Sequence, residues 1–163
     1  MSADSLKLTI AIHAALVTLG LGSSTVSARD FVLKDENQLV CSKVREKLNG
    51  FGAEPLVREI TLLLFEASKK SCGALVRELI SMDAGVDARD RSASTPLMKA
   101  AEAGHLEIVK YLQSIGADIN HLSLRGNTAL LLAVRSNRAK VVKYLLQQGA
   151  EPNTRSLDNV TPL

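Results

Sequence analysis

Thr95-Pro96-Leu97-Met98-Lys99-Ala100-Ala101-Glu102-Ala103-Gly104-His105, followed by Leu106-Glu107-Ile108-Val109-Lys110-Tyr111-Leu112, decides how this chain folds. Thr95 is suited to cap a helix that starts at Pro96, where a missing N–H costs nothing. Ala100 and Ala101 leave room for a second helix at close range. Gly104 can take the positive φ that ends the first short helix, and Gly116 the same for the next. Ile108, Val109 and Leu112 then form an apolar face that only a neighbouring unit can cover.

The stretch recurs. Ser94-Thr95-Pro96-Leu97 returns as Asn127-Thr128-Ala129-Leu130 and as Val160-Thr161-Pro162-Leu163, each 33 residues on. Ala100 pairs with Ala133, Val109-Lys110-Tyr111-Leu112 with Val142-Lys143-Tyr144-Leu145, and Gly116-Ala117 with Gly149-Ala150. Period and residues together resemble the ankyrin repeat, a turn plus two helices. Thr95 to His105 is similar to that family's TPLHxAAxxGH signature, and Leu106 to Leu112 to its second helix. The resemblance implies an all-α ankyrin solenoid of helix-turn-helix units with short hairpin loops.

Read backwards by the same period, Leu64-Phe65-Glu66-Ala67 and Leu75 to Ile80 form a weaker copy without the Thr-Pro-Leu-His element. We read 57–89 as a degenerate capping repeat, 90–122 and 123–155 as full repeats, and 156–163 as an incomplete one. Met98 and Leu131 stand where the signature has His, Ala93 and Asn159 where Gly126 keeps a turn glycine, and Asn137-Arg138 where it has Gly-His. The incomplete unit leads us to expect a longer array.

Residues 1–56 read as an N-terminal helical segment. Leu8 to Gly22 is a 15-residue run without charge, short of the roughly 20 apolar residues a bilayer span needs. It reads as a buried helix. The alternative is the apolar part of a signal peptide, 1–28, ending in Val26-Ser27-Ala28. Ser27 to Gly50 reads as a further helix, Asn49 to Gly52 as its stop, and Pro55 as the first position of the helix that feeds the repeats.

Composition narrows the function. Aromatics are 3%, Trp is absent, and 20 basic against 17 acidic residues give a net charge of +3. So small an excess, with few rings to stack on bases, argues against nucleic acid. Cys41 and Cys72 belong to no metal motif; we read each as a small buried thiol, which fits a reducing compartment better, with a bridge between them left open. His13, His105 and His121 are too dispersed for a local metal site. No nucleophile, metalloprotease or phosphate-loop signature occurs, so we expect no enzyme, no cofactor and no small-molecule substrate.

In the family, binding falls on the hairpin tips and the exposed side of each first helix. Carried over by column, the resemblance implies partner-binding positions at Lys69, Lys70, Arg91, Ser94, Glu102, Leu124, Arg125, Asn127, Arg135, Leu157, Asp158 and Val160. The expected function is a scaffold or adaptor whose positively biased concave groove captures an acidic or extended segment of a partner protein. The alternatives are a regulatory or targeting arm of a larger enzyme, such as a kinase or ubiquitin ligase, and a secreted or effector ankyrin protein. The expected location is the cytoplasm or nucleus, or outside the cell if 1–28 is a cleaved leader.

Overall fold

The computed structural model describes residues 28–52, 55–154, 156–157 and 161–162, with the side chains of 28–36 left aside. The apolar run Leu8–Gly22, the helix start read at Ser27 and all of the 1–28 leader reading but Ala28 lie outside the described residues, as do Asp158 and Val160. Chain contacts separate a unit of Met1–Val32, of which only the first helical residues are described, from a unit of Leu33–Leu163. The second unit holds all that follows.

Among the described residues there are seven helices and no strand. They are α1 (Ala28–Gly50), α2 (Val57–Lys69), α3 (Gly73–Ser81), α4 (Pro96–Ala103), α5 (Leu106–Ser114), α6 (Ala129–Arg135) and α7 (Ala139–Gln147). The second helices α3, α5 and α7 begin and end 33 residues apart at both termini. Local chemistry accounts for the boundaries. The Thr95 hydroxyl accepts from the Met98 amide and the Thr128 hydroxyl from the Leu131 amide, which satisfies helix-start donors that would otherwise be unpaired. Gly104 ends α4 at φ 87. At the matching columns Ser71 and Asn137 take φ 63 and 55. The chain geometry therefore persists where the glycine does not.

The first helices α2, α4 and α6 pack closely in a row, while α3, α5 and α7 touch more lightly. The stack is tighter on the first-helix side, and we call that side, with the tips next to it, the inner face. Leu64, Leu97, Leu112, Leu130 and Leu145 are fully buried in one continuous core. Burying such side chains contributes about 1.5–3 kcal/mol each, and each does so against a neighbouring unit. Polar bonds repeat at the same joints. The Asp118 amide donates to Asp87 Oδ1 and the Glu151 amide to Asn120 Oδ1, both at 3.0 Å.

Two expectations are corrected. Cys41 and Cys72 are not separate thiols but a disulfide, with Cα atoms 5.4 Å apart. The distance was illegible in sequence because it depends on how α1 docks on the first repeat. Val44 and Leu48 of α1 are buried in the shared core, Lys47 pairs with Glu66 at 2.8 Å, and Arg45 pairs with Glu78. Second, α2 starts at Val57, not Pro55. Leu56 is its cap residue, and Glu59 reaches back to accept from the Leu56 amide at 3.0 Å, which places the first turn beyond the proline.

Candidate functional site

The tips are short turns that project beside the first helices. In the first, the Asp90 carboxylate accepts from the Ser92 and Ser94 amides at 2.8 and 2.9 Å and pairs with Lys99 at 2.8 Å. Burial raises the Asp90 carboxyl, but Lys99 and the two amides outweigh it and hold the group below its ordinary range. In the second tip Ser123 replaces Asp90, its hydroxyl accepting from the Asn127 amide. Successive tips are tied by main-chain bonds: the Leu124 amide to the Ser92 carbonyl and the Leu157 amide to the Arg125 carbonyl, each 2.9 Å.

These bonds sort the expected binding positions. Lys69, Arg91, Glu102, Leu124, Arg125, Arg135 and Leu157 are exposed. Ser94 and Asn127 are buried, which corrects their placement on the binding surface: each closes its own turn, its carbonyl accepting from the main-chain amide of residue 90 or 123 and its amide donating to that residue's side-chain oxygen. Lys70 is exposed but its ammonium is held by Glu66 at 2.8 Å, the same carboxylate that Lys47 of α1 engages. Hydrogen bonds from Lys47 and Lys70 hold the Glu66 carboxyl low against the opposing effect of burial. Lys70 therefore serves the joint with α1.

The arginines divide by use. Arg45 pairs with Glu78, Arg77 lies 5.2 Å from the Tyr111 ring centre, and Arg138 Nε donates to the Glu102 carbonyl at 3.1 Å. That last bond repeats the one from His105 Nε2 to the Lys69 carbonyl, 2.9 Å, so Arg138 does structurally what His105 does one repeat earlier. Arg58, Arg89, Arg91, Arg125 and Arg135 have no hydrogen-bond or ionic partner among the described residues, and all are exposed.

Three of these line one cleft. Arg58 on α2 and Arg89 and Arg91 on the first tip line a space of about 770 Å³, with Val57, Leu62 and Phe65 supplying apolar wall. Arg58 and Arg89 were missed in sequence. Residue 58 lies one repeat before Arg91 and so belongs to a tip column, but in the first unit that column is helix. α2 extends six residues beyond the position matching Pro96 and replaces the missing tip. The available signal was Leu62, exposed beside buried Leu63 and Leu64. Among the described residues no group of three or more His, Cys, Asp or Glu is placed to hold a metal, and no helix is long and apolar enough to cross a membrane.

In comparisons with known proteins, residues 63–156, more than half of the chain, match a family model described as ankyrin repeats, in three copies. No curated protein matches the chain.

Proposed function

The chain belongs to the ankyrin-repeat family, whose members are generally non-catalytic protein-interaction modules, and from that premise we propose that it captures an acidic, extended segment of a partner protein along its tips and first helices. The observation that carries this reading is the set of five arginines on that face without partners among the described residues, against one exposed acid, Glu102, in the described part of it. Guanidinium groups offer paired donors to carboxylates, and exposed Leu124 and Leu157 beside them supply apolar contact. Charge of one sign raises the encounter rate and rejects basic partners. The test is titration of the full chain with acidic, neutral and basic synthetic peptides. Arg91→Glu, Arg125→Glu and Arg135→Glu together should abolish binding of the acidic peptide and leave the melting temperature nearly unchanged. Equal binding by the triple variant rejects the proposal.

A second reading concerns location. The Cys41–Cys72 bridge supports an oxidising compartment over the cytoplasm, since cytosolic thiols are kept reduced. Sequencing the N-terminus of the natural protein tests this: a start at Arg29 agrees with export, a start at Met1 or Ser2 opposes it.

A further inference from the structure

We infer that the cleft between α2 and the first tip is a specific seat for a short acidic peptide carrying one bulky apolar anchor residue. The inference rests on the reading of the inner face as a peptide-binding surface and narrows it to one place and one chemistry. Two independent features meet there. Leu62 and Val57 are 59% and 58% exposed, although they stand on a helix whose other face is in the core. Arg58, Arg89 and Arg91 rim the same space without partners. Among the described residues the one carboxylate on the cleft wall, Asp90, is already engaged by Lys99 and two turn amides. It is therefore neither a counter-ion for the arginines nor an open negative charge that would repel an acidic ligand.

Charge complementarity thus selects carboxylates for the rim, and the exposed aliphatic surface beneath selects an apolar side chain between them. The long first turns of α2 create the site. In the later repeats the same column is a tip, carrying Leu124 or Leu157, with no equivalent cluster of arginines among the described residues.

The experiment uses the full oxidised chain and a fluorescein-labelled acidic peptide with a single central Phe, read by anisotropy. Replacing Phe by Ala, or the acidic residues by their amides, should weaken binding about tenfold or more. Arg58→Gln with Arg89→Gln should do the same, and Leu62→Ser should affect only the Phe-bearing peptide. All of these positions are exposed, and circular dichroism verifies that the variants fold. Loss of binding through Arg125→Glu and Arg135→Glu, with Arg58 and Arg89 dispensable, overturns the cleft but keeps the wider acidic-groove reading. Absence of binding by every acidic peptide overturns both. Tighter binding of a single-stranded oligonucleotide than of the peptide also overturns the inference.

Discussion

Ala93 sits at φ 53, where its counterpart one repeat later, Gly126, sits at φ 68. A Cβ in this region costs about 1–2 kcal/mol, partly returned because Ala restricts the unfolded chain more than Gly does. Ala93→Gly should therefore raise stability by about 0.5–1 kcal/mol, measured by urea unfolding; a loss would mean the turn is not strained. Asp90 acts at the same tip in the opposite sense. Its folded-state pKa lies below the ordinary 3.8, so its stabilisation is present above that value and is lost as pH falls through 3.8 toward the lower folded value. Asp90→Asn, which retains an acceptor but not the charge, should cost about 1 kcal/mol at neutral pH. Its loss of stability as pH falls below 3.8 should also be shallower than that of the unaltered chain. At this scale the caps Thr95 and Thr128 and the terminator Gly104 were legible, because each rests on local geometry. The exchange of His105 for Arg138 was not, since only folding shows that both reach a carbonyl 36 residues upstream.

Elements show where legibility ends. A helix from Ser27 to Gly50 was readable, and the structure describes one over Ala28–Gly50, yet its partner was not. The bridge from Cys41 to Cys72 spans 31 residues, and the joint it secures depends on Val44 and Leu48 entering the core and on the Lys47–Glu66 pair. Cross-linking a loop of this length stabilises by roughly 2–4 kcal/mol, chiefly by restricting the unfolded chain. Reduction, or Cys41→Ser with Cys72→Ser, should lower the urea midpoint accordingly. Because α1 also covers part of the first repeat, hydrogen exchange should rise first in α1 and α3. Equal midpoints for oxidised and reduced chains would show that the bridge constrains nothing. α2 presents the converse case. Its helical character was readable, but its length concealed that its first turns stand in a tip column and bring Arg58 to Arg91.

Across the whole unit of repeats, charges follow a division of labour. Four acidic residues are drawn into joints and turns: Glu66 and Glu78 to α1, Asp87 to the Asp118 amide, Asp90 to its own tip. The arginines without a partner among the described residues, Arg58, Arg89, Arg91, Arg125 and Arg135, stand on the tips and first helices. Arg91, Arg125 and Arg135 were legible because tips and first helices recur at a fixed period; Arg58 and Arg89 required the packed first unit to bring them together. Like charges aligned on one face repel, and salt screens that repulsion within about 8–10 Å at moderate ionic strength. It screens attraction to an acidic ligand in the same way. Raising sodium chloride should therefore weaken acidic-peptide binding in proportion to the number of arginines engaged, while leaving the melting temperature unchanged or slightly higher. In the Arg91, Arg125 and Arg135 triple glutamate variant, which keeps no acidic-peptide binding to respond, the melting temperature should no longer rise with salt. If salt instead lowered stability and binding together, the arginines would be acting as internal ties, and the inner face would not be a surface kept charged for a partner.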